Sequence, residues 1–191
     1  MDTVAINTQS TNLTEEQFFR LCSDNRDIRF ERDKFKNIII MPPTGNWTSS
    51  NQIGIAAQLW NWNKKTKLGH VFESSAGFTL PNGAVRAPDA AWIEKKRWAK
   101  IPLNEQKRFA HICPDFVIEV RSRTDTLKML KEKMVEWMQN GCRLGWLIDL
   151  ENKKAYIYKN EKEFSEIVFS HKTISGSDVL PGFELDLNNL Y

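Results

Sequence analysis

Three carboxylates of the sequence lie at or near predicted strands whose other residues are mostly apolar. Asp89 follows a proline at the start of one strand, Glu119 lies within another, and Glu31 lies in the first predicted hairpin. A carboxylate removed from water must find a cation, a hydrogen-bond donor or a metal ion. Two interpretations are therefore open: hard oxygen ligands for a divalent cation, or acids that cap turns and form ion pairs, such as Glu119 with Arg121.

The segment from residue 115 to residue 121 alternates in a way that predicts a buried β-strand. One face of this strand is apolar and consists of Phe116, Ile118 and Val120. Glu119 and Arg121 are expected side by side on the opposite face. Asp115 is interpreted as the start of the strand rather than as a metal ligand.

A helix is predicted directly after this strand. Hydroxyl and carboxylate groups at residues 122–125 suit its N-terminus, and Gly141 ends it. Its apolar stripe consists of Leu127, Leu130, Met134, Trp137 and Met138. Lys131 and Lys133 flank the two edges of the stripe, and periodicity does not choose between them. We expect the stripe to pack on the apolar face of the strand, opposite Glu119.

The rest of the pattern predicts the class α/β (α+β), with a mixed sheet and helices packed against it. Residues 1–13 are polar and aperiodic, which predicts a flexible tail before a single domain over residues 14–191. The other predicted elements are a helix opened by a capping box at Thr14, a hairpin over 28–41, a helix from Ser49 or Ser50 to about Lys65, two or three strands over 71–94, a charged helical excursion over 94–110, strands at 144–149, 155–158 and 166–170, a turn at 160–163 and a closing segment over 181–187.

The composition of the sequence limits the classes of protein to which it can belong. The net charge is only +3 over 191 residues, so a nucleic-acid partner would have to meet a local basic patch. Three widely separated cysteines argue against a disulfide framework, and no spacing typical of a zinc site is present. No signal peptide and no apolar run near the roughly 20 residues of a membrane span occur, so we expect a soluble, cytoplasmic protein with no membrane partner.

An ordered set of short motifs runs through most of the chain. In chain order they are Phe30-Glu31, Ile40-Met41-Pro42-Pro43, Ala87-Pro88-Asp89, Cys113 to Val120, Glu132-Lys133-Met134, Gly141, Trp146-Leu147-Ile148-Asp149 and Pro181-Gly182-Phe183. The set resembles the Uma family, which is widespread in cyanobacteria and belongs to the PD-(D/E)XK restriction-endonuclease-like superfamily. The resemblance extends from about Ile28 to Leu187.

This resemblance implies a restriction-endonuclease-like mixed sheet with flanking helices and hairpin additions. It also implies an endonuclease that hydrolyses DNA phosphodiester bonds with Mg²⁺ or Mn²⁺, held by Asp89 and Glu119, with Glu31 completing the acidic cluster. The lysine expected two residues after Glu119 is Arg121, and the recurring lysine of the family matches Lys133. We therefore expect Lys133 to be the catalytic cation.

Arg121 is expected to clamp a phosphate or to pair with an acid, and Arg121 and Lys131 are the candidates for nucleic-acid binding. The expected partner is duplex DNA, bound by a homodimer that cuts two strands. Two alternatives stay open. One is a nuclease-like module that binds nucleic acid or regulates it without catalysis, because Arg121 replaces the lysine; the other is a partner-binding structural protein whose acids form ion pairs.

Overall fold

The computed structural model describes residues 4–11, 13–159, 164–169, 173–188 and 190. Over these ranges it contains five α-helices and fourteen β-strands. The helices are α1 (Glu15–Asp24), α2 (Asn46–Thr66), α3 (Lys95–Trp98), α4 (Leu103–Gln106) and α5 (Leu127–Gln139). The strands are β1 (Val4–Ile6), β2 (Arg29–Arg32), β3 (Ile38–Met41), β4 (Gly69–Glu73), β5 (Phe78–Thr79), β6 (Val85–Arg86), β7 (Ala90–Glu94), β8 (Ala110–His111), β9 (Phe116–Val120), β10 (Leu144–Asp149), β11 (Lys154–Tyr158), β12 (Phe164–Val168), β13 (Thr173–Ser175) and β14 (Glu184–Asp186).

The strands of the described residues form two six-stranded sheets and one two-stranded sheet. The first large sheet has the order β1-β3-β2-β6-β5-β8, and the second, which we call the central sheet, has the order β12-β11-β10-β9-β7-β4. In the central sheet only β9 and β10 are parallel, and α5 is the crossover between them. The predicted class, a mixed sheet with flanking helices, is confirmed.

The two faces of the central sheet are covered by different helices. Phe116, Ile118 and Val120 lie in one core with the buried face of α2, which supplies Ile55, Leu59 and Trp62. Val117, the neighbour of Glu119 on the other face of β9, packs with Met134 and Trp137 of α5. The prediction that α5 packs opposite Glu119 is therefore wrong, because α2 occupies that face and the crossover helix takes the remaining one. Lys133 consequently reaches Glu119 without passing around the edge of the sheet.

Several element boundaries also differ from the predictions. The expected tail over residues 1–13 contains β1, which pairs with β3 through Val4 and Ile40. Helix α2 begins at Asn46 rather than after Ser49 or Ser50, because Gly45 takes the N-cap position without a side-chain bond. Residues 69–94 form four strands instead of two or three. The turn predicted at 160–163 lies outside the described residues.

Other local predictions are confirmed. Thr14 and Gln17 form the capping box of α1, with the Thr14 hydroxyl accepting from the Gln17 amide at 3.2 Å. Helix α5 is followed by Gly141 at a φ of 101°, which suits a residue without a Cβ. None of the helices in the described ranges combines the length and the hydropathy that a membrane crossing requires.

Gly145 in β10 leaves space for two methionine side chains of α5. A Cβ atom at Gly145 would overlap the Met134 methyl group and lie 2.9 Å from that of Met138. Met134 and Met138 belong to the helix face that packs on the sheet, next to Lys133. A larger residue at position 145 would therefore force the ends of these two methionine side chains to move within the packed interface.

We predict that Gly145→Val lowers the free energy of unfolding by about 1–3 kcal/mol, because overpacking forces the methionines off their rotamers. Urea denaturation measures this change. Gly54→Ala in α2 is the matched control, since the nearest heavy atom would lie 3.9 Å from the new Cβ and alanine favours helix by about 1 kcal/mol. Equal losses in the two variants would contradict the proposed close approach.

Candidate active site

A cleft of about 1140 Å³ opens where the first large sheet, the central sheet and α5 meet. Glu31 of β2, Asp89 at the start of β7, Glu119 of β9 and Lys133 of α5 all line this cleft. Four residues that are far apart in the sequence are thus brought together in one concave surface. Such a surface with converging charged groups is typical of a catalytic or binding site.

Lys133 lies between two of the carboxylates. Its Nζ is 2.9 Å from Glu119 Oε1 and 2.9 Å from Glu31 Oε1, and it donates to the Ala87 carbonyl at 3.2 Å. Its side chain is only 11% exposed. Burial opposes the charged form, but the charges of Glu119 and Glu31 outweigh burial and hold the pKa of Lys133 above its usual value. Lys133 is therefore protonated and positively charged at neutral pH.

The surroundings of Glu119 oppose its ionisation. Burial and the charges of Asp89 and Glu31 together raise the pKa of Glu119 to about 7, although the charge of Lys133 opposes them. The Trp137 indole Nε1 donates to Glu119 Oε1 at 2.9 Å and fixes the carboxylate in place. An added positive charge beside Glu119 would favour its ionised form.

Asp89 is held at the end of β9 beside Glu119. Its Oδ2 accepts from the Val120 backbone N–H at 2.6 Å, and its Oδ1 accepts from Gln52 Nε2 of α2 at 2.8 Å. Burial raises the pKa of Asp89 in spite of these two bonds. Two neighbouring carboxylates that both resist ionisation form an arrangement that a bound cation would relieve.

Glu31 belongs to a row of alternating charges that supports the lysine. Arg86 Nη1 is 2.9 Å from Glu31 Oε2, and Arg86 Nε is 2.6 Å from Glu136 Oε2. Burial raises the pKa of Glu31, but Lys133 and Arg86 outweigh burial and lower it below its usual value. The row therefore runs Glu136, Arg86, Glu31, Lys133, Glu119.

The three carboxylates predicted as metal ligands line one cleft, but they do not form a single cluster around one possible metal position. Across the described ranges, no group of three or more His, Cys, Asp or Glu side chains is arranged to hold a metal ion. Lys133 lies between Glu31 and Glu119, so Glu31 is oriented toward the lysine and Arg86. The charge of Asp89 raises the pKa of Glu119, so these two carboxylates lie within electrostatic reach of each other.

Arg121 does not pair with Glu119 as the alternation suggested. Its Nη1 is 2.7 Å from Asp149 Oδ2, and its Nε donates to the Asp125 carbonyl at 3.3 Å. The reason is that β9 ends at Val120, so Arg121 is already in the turn that leads toward α5. Arg121 is also absent from the cleft lining.

Lys131 and Asp115, which were also considered in the sequence, each contact side chains other than the acids of the cleft. Lys131 lines the cleft with its Nζ 4.4 Å from the ring centres of Tyr156 and Phe164. Asp115 is fully buried and pairs with Arg97 at 2.7 Å, which agrees with its interpretation as a structural residue.

Three residues of the site were missed in the sequence. Gln52 and Arg86 come from a distant helix and a two-residue strand, and no local pattern connects them to the carboxylates. Trp137 carried a usable signal, because it lies four residues after Lys133 and so shares its helix face. Both side chains contact Glu119.

The raised pKa of Glu119 predicts a pH-dependent stability. The folded protein keeps a proton on Glu119 up to about pH 7, whereas the unfolded chain releases it near 4.5. The contribution of the protonated Glu119 to the free energy of unfolding is therefore complete below pH 4.5 and is lost as the pH rises through about 7. Between about pH 5 and about pH 8, we expect the wild type to lose a few kcal/mol of unfolding free energy relative to Glu119→Gln, which cannot titrate.

Urea denaturation of both proteins at several pH values measures this difference. Glu132→Gln, a change of an exposed acid of α5 in the cleft lining, serves as the control for general pH effects. A gap between wild type and Glu119→Gln that stays constant over the whole range would show that the folded pKa of Glu119 is not raised.

The comparisons with known proteins identify the family and the fold of this chain. The family model named Uma2, described as putative restriction endonuclease, matches residues 15–188 and confirms the resemblance found in the sequence. Among solved structures, the chain is similar to a putative nuclease belonging to DUF820 from Anabaena variabilis, with a TM-score of 0.70, 20% identity and coverage of 84% of this chain and 88% of that one. This likeness shows a shared fold. No curated protein sequence matches the chain.

Proposed function

This chain belongs to the Uma2 family of putative restriction endonucleases, and we propose that it is a metal-dependent nuclease that hydrolyses phosphodiester bonds of DNA. One observation carries the proposal: the buried ammonium of Lys133 lies 2.9 Å from Glu119, at the floor of an open cleft that also contains Asp89. A cation beside two acids in a concave surface is an arrangement that phosphodiester hydrolysis can use, and the raised pKa values of the acids are typical of a functional site.

The donor set fits a hard divalent cation, because burial disfavours the ionised forms of both Asp89 and Glu119 and a cation would restore them. Asp89 and Glu119 would hold Mg²⁺ or Mn²⁺. The bound ion would lower the pKa of a water molecule and neutralise charge on the phosphate.

The side chains of the protein prepare the rest of the site. Lys133 keeps its proton at neutral pH, so it stabilises negative charge on the phosphate instead of accepting a proton. Glu31 and Arg86 fix the lysine in position, and Trp137 fixes Glu119. A site whose charges are held in advance needs little reorganisation when charge develops on the substrate.

The inactive nuclease-like alternative rested on the replacement of the expected lysine by Arg121. In the structure Lys133 contacts Glu119 from the neighbouring helix, which supports an active site. The alternative of a purely structural set of ion pairs is less favourable on energetic grounds. Buried charges cost desolvation energy, and a well-packed apolar core stabilises a fold equally well.

Contact with DNA would involve the basic residues along the cleft. Arg123 and Lys128 are exposed in its lining, and Lys131 lies among them, which suits contact with phosphates. Duplex DNA and a homodimer that presents two sites to the two strands belong to the same proposal. Light scattering during gel filtration measures the oligomeric state.

We predict that Lys133→Ala reduces Mg²⁺- or Mn²⁺-dependent cleavage of plasmid DNA by about 10²- to 10³-fold, because a pre-positioned cation is lost. DNA affinity, measured by fluorescence anisotropy, should change less than about threefold, since the buried lysine contributes little to the phosphate-contacting surface. Lys107→Ala, an exposed lysine outside the cleft lining, is the matched control and should cleave like the wild type.

Two results would contradict the assignment. One is a Lys133→Ala protein that cleaves at the wild-type rate. The other is a wild type that cleaves neither with Mg²⁺ nor with Mn²⁺ while its folded state is intact by circular dichroism.

A further inference from the structure

The walls of the cleft carry apolar side chains that the proposed chemistry does not use. On the β2–β3 hairpin, Glu31 pairs with Ile39 and Arg29 pairs with Met41, so Ile39 and Met41 share the face of Glu31. On α5, Met129 lies four residues before Lys133 and shares its helix face. Ile39, Met41 and Met129 all line the cleft. The carboxylates and the lysine are therefore flanked by apolar surface on both sides.

This apolar surface is accessible to a ligand. The Met129 residue is 51% exposed, although it begins a helix whose other apolar residues are largely buried. Ile39 and Met41 are half-buried rather than buried. Methionine and isoleucine can pack against a flat ring, and the flexible methionine side chain adapts to its outline. Neither a hard cation such as Mg²⁺ nor a phosphate group has any favourable contact with such side chains.

The part of a nucleic acid that fits these walls is the face of a base. In a continuous duplex each base is stacked on its neighbours, and only polar edges and charged backbone are offered to a protein. A base that has left the stack offers its apolar face. Proteins hold such bases between aromatic or apolar side chains. The cleft walls thus match an unpaired nucleotide rather than a stacked one.

The depth of the reactive groups leads to the same substrate. The Glu119 and Lys133 side chains are 5% and 11% exposed, so a phosphate must enter between the walls to reach them. The nucleotide attached to that phosphate then lies between the hairpin and α5. At about 1140 Å³, the cleft exceeds the roughly 300–1,000 Å³ of ordinary small-molecule pockets and has room for a nucleotide with its flanking phosphates.

Positive charge at the rim completes the match. Lys34, Arg123 and Lys128 are exposed residues of the cleft lining. Sites for unpaired strands combine cations along the backbone with apolar or aromatic platforms for the bases. We infer that the cleft binds DNA whose nucleotide at the cut position is unpaired, with its base packed between Ile39 and Met41 on one side and Met129 on the other. This inference rests on the proposed nuclease function and specifies its substrate.

Binding without cleavage tests the inference. Fluorescence anisotropy in EDTA at fixed salt compares three labelled DNAs: a single strand, its perfect duplex, and the same duplex with one unpaired nucleotide. We expect the single strand and the interrupted duplex to bind about tenfold more tightly than the perfect duplex, because the packing of one unpaired base adds to their affinity.

Variants of the wall provide the second arm. Met129→Ala should reduce this preference by about threefold or more, and Met129→Leu should retain it, because leucine preserves the apolar volume. Met129 is half exposed, so neither change removes core packing. Ile53→Ala, on α2 and 68% exposed outside the cleft lining, is the matched control and should leave the preference unchanged.

The outcomes separate the two proposals. Equal or tighter binding of the perfect duplex, or a preference that survives Met129→Ala, overturns the unpaired-nucleotide inference while leaving plasmid cleavage as support for the nuclease. Failure to bind any of the three DNAs, together with failure to cleave plasmid, overturns both.

Discussion

The site depends on one constraint: Glu31 and Glu119 are buried carboxylates that require a cation, and Lys133 is the cation that they share. Its ammonium lies 2.9 Å from both Glu31 and Glu119. Helix α5 can place the ammonium there because the helix packs on the same face of β9 as Glu119. The crossover helix α5 therefore connects β9 to β10 and also places the positive charge of Lys133 beside Glu119.

The energetic cost of this arrangement is a reason to regard it as functional. A buried ion pair seldom stabilises a protein more than apolar residues of similar size would. Glu119 still resists ionisation with the lysine beside it, because burial and the charge of Asp89 raise its pKa to about 7. A further cation beside a carboxyl group with a raised pKa would stabilise its ionised form. The row through Arg86 to Glu136 keeps Glu31 ionised and the lysine in place.

Sequence reasoning identified the central strand, the helix after it and the acids, but it assigned the helix to the wrong face. The reason is that β9 is buried on both faces, so Val117 and Ile118 are equally apolar and alternation alone does not say which helix covers which side. Lys133 came from the resemblance to a family rather than from periodicity. Gln52 and Arg86 reach the acids through contacts that only the tertiary fold creates.

A crystal soaked in Mn²⁺ and measured at the manganese absorption edge tests the central claim most directly. We expect one anomalous peak in contact with Asp89 and Glu119, with Glu31 still bound to Lys133 and Arg86, because that pair of acids has the raised pKa values. No peak at saturating Mn²⁺, or a peak held by Glu31 with Lys133 displaced, would contradict the account.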